Sequence, residues 1–245
     1  MSSINTKEIM DKLEEDLQKN SITIHANMSD GVFISTLFDQ QQCKVFLEGE
    51  KEELGAPSVS VAASMFSKRY SSLLLNASLT AFMNYNSCIY WPYEACLYTK
   101  DRKLELNKNQ IRLVSTEMNN REKLREEFLV KLFKENLSPL ILNLHEVSRL
   151  PLKILWENVS VRMNSIFRKM IEKEQDTCVL NTLSEDFDFL KQSSGKLFGL
   201  NENPIAPYLS DEFGEVKTRK TCCLFHKVEK SLEPNKYCNV CPLNR

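Results

Sequence analysis

The sequence predicts an α+β chain, predominantly helical, with a small antiparallel sheet and a cysteine-rich C-terminal segment. Three observations carry this prediction. Apolar residues recur at helical spacing through residues 9–17, 58–84 and 119–190. Short β-branched and aromatic runs gather between Cys88 and Ser115. Four of the eight cysteines lie in the last twenty-five residues. At 245 residues the chain is long enough to bury a substantial core without help from its thiols.

Ile9, Leu13 and Leu17 among charged residues predict an amphipathic opening helix. From Ser21 to Cys43, Ile22, Ile24, Val32, Ile34 and Phe38 are interspersed with Gly, Asp and Gln, a mixed strand or irregular pattern. Gly55-Ala56-Pro57 breaks the chain before a long, largely buried helix from Ser58 to about Asn84, with Pro57 near its start. Cys88–Trp91, Ala95–Tyr98, Lys103–Leu106 and Ile111–Ser115 read as strands of one antiparallel sheet. Trp91 and Tyr93 flank a break there, either as core packing or as a ligand wall. Helical spacing resumes at Asn119, with Pro139 and Pro151 dividing the segments. After Ser193 the chain becomes loop-rich. The expected organisation is a helical-rich body over residues 1–205 and a segment over 206–245 docked on it.

The net charge of −1 creates no global field for nucleic acid or an anionic membrane. No apolar stretch approaches the roughly eighteen residues of a membrane span, and no basic and apolar leader opens the chain, so the expected location is cytoplasmic. Gly-x-Gly-x-x-Gly, P-loop and Gly-x-Ser-x-Gly patterns are missing, which leaves no home for a dinucleotide or ATP. Electrons for any redox step must come from a separate donor. Cys43, Cys88, Cys96 and Cys178 are scattered singly and read as core residues.

The C-terminal thiols form an adjacent pair, Cys222-Cys223, then a fourteen-residue gap, then Cys238-x-x-Cys241-Pro242. Cys238 and Cys241 in a tight turn aim both sulfurs at one point. Neighbouring residues on an extended chain point to opposite faces, so Cys222 and Cys223 need a bend or a larger object between them. A structural zinc prefers two separated loops, whereas a 2Fe-2S cluster accepts several spacings. Zinc, a cluster, disulfides and free thiols all stay open on spacing, although a reducing compartment disfavours disulfides. His226 lies close to the pair, either as a substitute ligand or, the plainer reading, in a supporting or surface position. The tail is rich in Lys and Arg, either as ordinary solvated charges or as a field that attracts an anionic partner and raises a cluster's potential.

Arg219-Lys220-Thr221-Cys222-Cys223 followed by Tyr237-Cys238-x-x-Cys241-Pro242 resembles the terminal motif of the FhuF-type ferric-siderophore reductases. Lys68-Arg69-Tyr70, Trp156-Glu157-Asn158 and Asn203-Pro204 are similar to further segments of that family, and the first also to the C-terminal part of IucA/IucC-type siderophore synthetases. The gap between the cysteine pairs is longer than the family's, and a loop at Glu229 to Asn235 would absorb the difference. The resemblance implies that Cys222, Cys223, Cys238 and Cys241 ligate a 2Fe-2S cluster. It implies one-electron reduction of a ferric siderophore, a hydroxamate or mixed citrate-hydroxamate, with a ferredoxin, flavodoxin or reductase as donor. Lys68, Arg69, Arg219 and Lys220 are the residues it suggests for contact with an anionic siderophore. Against this stand the plainer readings of Lys68 and Arg69 as a solvated helix face and of Trp156 as a packing anchor. A zinc-binding interaction module and a thiol redox sensor are the alternatives from other classes.

Overall fold

A computed structural model describes residues 6–115, 120–212, 214–228 and 237–243. The fold is α+β and mainly helical, with α1 (Thr6–Lys19), α2 (Gln40–Leu54), α3 (Val59–Tyr85), α4 (Arg121–Val130), α5 (Ser138–Ser148), α6 (Leu152–Lys173) and α7 (Thr177–Gln192). Six short strands accompany them: β1 (Ile22–His25), β2 (Gly31–Phe33), β3 (Ser87–Tyr90), β4 (Cys96–Thr99), β5 (Leu104–Asn107) and β6 (Arg112–Ser115). The expected insertion at Glu229 to Asn235 lies outside the described residues.

Helix α3 is the axis of the body. Ser58 caps it by accepting from Val61 N–H, and Asn86 ends it in the left-handed conformation. It buries apolar residues on every side, including Val61, Phe66, Tyr70, Leu74, Leu75 and Phe82, as expected for a helix enclosed by other elements. It packs on α1, α2, α6 and β3. Small polar residues, Ser64, Ser67, Ser71 and Ser78, are also buried along it. Phe66 stacks on Tyr70 with centroids 5.7 Å apart and meets Tyr98 edge-on at 5.2 Å, joining the helix to β4.

The four strand-like runs between Cys88 and Ser115 all form strands, but not one antiparallel sheet. Among the described residues β3 pairs with β6 alone, antiparallel, with Cys88 opposite Val114. β4 and β5 instead join β1 and β2 in the order β1-β5-β4-β2. β1 lies parallel to β5, Ile22 opposite Leu104, so this sheet is mixed. The parallel pairing arises because α1 delivers β1 to the far edge and the chain crosses back through α2 and α3 before β5.

Pro139 does not divide the helices. From Lys131 to Leu137 the chain widens into π-helical turns and runs directly into α5. A proline removes a backbone donor and crowds the preceding turn, and the wider turn accommodates both effects. Pro151 does separate α5 from α6. After α7, Asn203 organises the loop: its Nδ2 donates to Leu190 and Ser193 carbonyls, each at 2.9 Å, and its Oδ1 accepts from Ile205 and Ala206 N–H at 3.1 and 3.0 Å.

Candidate cysteine site

The chain leaving this loop passes over the adjoining faces of α3 and α6. Glu157 on α6 is 2% exposed and receives it. Its carboxylate accepts from Lys220 N–H at 2.6 Å, from Thr221 N–H at 2.8 Å and from the Thr221 hydroxyl. Next to it, Asn158 Nδ2 donates to Ser64 O at 3.1 Å and Ser67 Oγ at 2.9 Å. The Ser64 hydroxyl in turn donates to Cys223 O at 2.7 Å. Trp156 packs edge-on against Phe198 with centroids 6.2 Å apart, as its reading as an anchor anticipated.

Beyond Cys223, Leu224 adopts a left-handed backbone, φ 64°, and opens a short helical turn over Phe225–Lys227. A leucine there is strained by roughly 1–3 kcal/mol, a cost carried by the surrounding contacts. The bend turns the adjacent sulfurs toward different partners. Cys222 Sγ lies 3.6 Å from His226 Nδ1 and accepts from Leu224 N–H at 3.4 Å. Cys223 Sγ lies 3.6 Å from Cys238 Sγ. Cys241 closes a turn on Cys238, N to O 2.9 Å, and its sulfur accepts from Leu243 N–H at 3.4 Å. Arg219 N–H donates to Val240 O at 3.0 Å, so the Cys-x-x-Cys turn is tied to the segment that carries Cys222 and Cys223.

The surroundings are cationic. Lys68 Nζ is 3.9 Å from Cys223 Sγ and 4.7 Å from the centre of the Phe225 ring. Arg69 donates its Nε–H to Arg102 O at 2.8 Å. Arg219 is 4% exposed and pairs with Glu157 at 3.4 Å, yet its Nη2 and the Nε of Arg162 are buried without a hydrogen-bond partner. Burial pushes the Arg162 pKa down, as do Arg69 and Arg219, while Cys223 and Cys238 oppose that shift. The hydrogen bond with Cys238 holds the Cys223 thiol well below the ordinary range; Lys68, the Phe225 N–H and Arg219 act in the same direction, against burial. The hydrogen bond with Cys223 and burial push the Cys238 thiol up.

The residues suit an anionic, thiolate-held group. With metal–sulfur bonds of about 2.3 Å, two sulfurs on one tetrahedral ion stand roughly 3.8 Å apart, close to the Cys223–Cys238 separation. Arg219 already has Glu157 as its counter-charge, whereas the buried Nε of Arg162 has no hydrogen-bond partner among the described residues, a donor that such a group would satisfy. Among the described residues no three Cys, His, Asp or Glu side chains converge on one point. The geometry is therefore that of one sulfur pair flanked by two outer sulfurs.

Of the basic residues suggested for substrate contact, Lys220 is exposed and Lys68 half-buried at the sulfur, whereas Arg219 is enclosed beneath the segment and Arg69 is directed to the Arg102 turn. Arg162 was not anticipated, since one arginine on an amphipathic helix carries no distinguishing signal. Cys43, Cys88 and Cys96 are buried away from the site, and burial raises the first two to about 12 and about 11. Cys178 is exposed.

A helical body that presents thiols in a cationic collar defines a thiol-rich electrostatic site. Residues 64–205 match the family described as "Ferric iron reductase FhuF-like transporter". That is more than half of the chain, which therefore belongs to the FhuF-like ferric iron reductase family, and a ferric iron reductase role is the class of function this membership supports. The matched residues contain Ser64, Lys68, Glu157 and Asn158 but end before the four cysteines. No curated protein matches the chain. Among the described residues no helix is long and apolar enough to cross a membrane.

Proposed function

We propose that the chain is a ferric-siderophore reductase in which Cys222, Cys223, Cys238 and Cys241 hold a 2Fe-2S cluster, with residues 1–205 as the body and 206–245 as the docked cluster-binding segment. When bound, such a cluster stores and passes one electron. The observation that carries this reading is the Cys223–Cys238 sulfur pair at 3.6 Å, beside Lys68 and the buried guanidinium nitrogens of Arg162 and Arg219, in a member of a ferric iron reductase family.

The chain's own residues bind, position and tune. Glu157 and Ser64 fix the backbone on which Cys223 sits, and Lys68 favours its thiolate form. The positive collar stabilises added negative charge and so raises the reduction potential. Cys222 and Cys238 are half-exposed, which leaves the sulfur rim open to outer-sphere contact with a ferric chelate, and Lys68 and Lys220 favour an anionic carrier. Siderophores hold Fe(III) with hard oxygen donors, and one electron added to give Fe(II) weakens that attraction. A ferredoxin, flavodoxin or reductase returns the electron, and iron is released in the cytoplasm. No proton transfer or nucleophile is required.

An anaerobic visible spectrum before and after dithionite tests the proposal. Sulfur-to-iron bands that bleach and return on adding a ferric hydroxamate are expected. A colourless protein binding one zinc per chain would instead favour the zinc module, for which the 3.6 Å approach of His226 to Cys222 is the favouring contact. A metal-free protein that reversibly forms a disulfide would favour the thiol sensor.

A further inference from the structure

Away from the cysteines, a cavity of about 330 Å³ opens between α3, the connection from β3 to β4 and the π-helical turns before α5. Tyr90, Trp91, Tyr93, Phe128 and Leu132 form its apolar walls. Its size lies in the range of small-molecule sites. The π-helical turns supply Lys131, Leu132, Glu135 and Asn136, and such turns recur where a helix serves a binding site.

The floor carries polar side chains. Ser78 and Asn136 are 1% and 6% exposed and line the cavity. Asn136 Oδ1 accepts from the Tyr70 hydroxyl at 3.1 Å, which orients the amide and leaves Nδ2 as a donor. Asn136 and Ser78 thus bring an amide and a hydroxyl to the cavity lining. The rim is charged: Lys131 and Arg112 face Glu135, a net excess of one positive charge, and none of the three forms an ion pair among the described residues. Lys131 Nζ stands 4.8 Å from the Tyr90 ring centre, at the edge of the aromatic wall.

We propose that this cavity binds a small aromatic hydroxy acid, its ring against Trp91 and Tyr90, its hydroxyl on Ser78 and Asn136, and its carboxylate at Lys131 and Arg112. Aromatic walls favour a ring, the floor favours an oxygen that accepts from an amide, and the rim favours an anion. The site shares no residue with the cysteine cluster, so it stands or falls separately from the reductase reading.

The probe is 4-hydroxybenzoate, titrated into the full-length ¹⁵N-labelled protein. The chain has two tryptophans, so the indole N–H resonances report separately on Trp91, in the wall, and Trp156, outside it. The Trp91 signal should shift saturably with Kd on the order of 0.1–1 mM while Trp156 stays still. Neutral 4-hydroxybenzamide and non-aromatic cyclohexanecarboxylate should each bind several-fold more weakly. Lys131→Gln, at an exposed position that leaves the fold intact, should weaken binding about threefold, and Ser78→Ala should weaken it as well. No saturable Trp91 shift up to about 10 mM, equal shifts at both tryptophans, or undiminished affinity in Lys131→Gln would each overturn the proposal.

Discussion

Glu157 and Arg219 stand 3.4 Å apart, carboxylate to guanidinium, with side chains 2% and 1% exposed. One belongs to the helical body, within the family match; the other opens the cysteine segment, beyond it. The same carboxylate also takes the N–H groups of Lys220 and Thr221. The approach to Cys222 is thus held by one acidic side chain on α6.

Glu157→Gln keeps the shape but leaves Arg219 buried without a counter-charge. Breaking a buried pair from one side costs about 3–5 kcal/mol, so thermal melting should fall by roughly 6–15 °C for a chain of this size. Iodoacetamide should also label Cys223 faster in metal-free protein. A variant that melts like the wild type and labels at the same rate would show that Glu157 does not fix the segment.

Cys238→Ser removes the sulfur that stands 3.6 Å from that of Cys223, whereas Cys43→Ser alters a buried core thiol. After anaerobic reconstitution with iron and sulfide, the first should lose cluster absorbance and the second should retain it. Equal iron content in both proteins would defeat the ligand assignment.

Two glycines should respond oppositely to alanine. A Cβ on Gly195 would meet the backbone of Leu200, Asn201 and Glu202 at 2.5 Å, whereas one on Gly49, inside α2, meets nothing within 4 Å. Gly195→Ala should destabilise by more than about 2 kcal/mol and Gly49→Ala should stabilise by about 0.5–1 kcal/mol. Urea midpoints measure both, and a neutral Gly195→Ala would show that the loop relaxes freely.

Glu50 is buried near Arg102, and burial raises its pKa more than the arginine lowers it. The folded state therefore favours the protonated acid. That contribution is fully present below the unfolded pKa and is lost as pH rises through the folded pKa. Glu50→Gln should accordingly raise the melting temperature at pH 7 and lose that advantage near pH 4. A gain of equal size at both pH values would contradict the assignment.

Periodicity identified α1, α4, α6 and α7, because each carries an apolar stripe that repeats at helical spacing, and a long, largely apolar run identified α3. It did not reveal α2, where Cys43, Leu47 and Leu54 share the buried face with Glu50 amid a run of glutamates. The strand runs were legible one by one. Their division into two sheets was not, because β1 reaches β5 from some eighty residues away and strand pairing leaves no local mark.

The sequence by itself determined the helical class, the strand segments, the loop-rich approach and the four thiols of the C-terminal motif. These are local properties: side-chain period, turn chemistry and spacing. Tertiary structure alone decided that Cys223 faces Cys238, that Glu157, Asn158 and Ser64 carry the cysteine segment, and that Arg162 stands beside the sulfurs. Each of those is a meeting between residues far apart in the chain. Packing of α3 against α6 sets their separation, and no one-dimensional pattern encodes it.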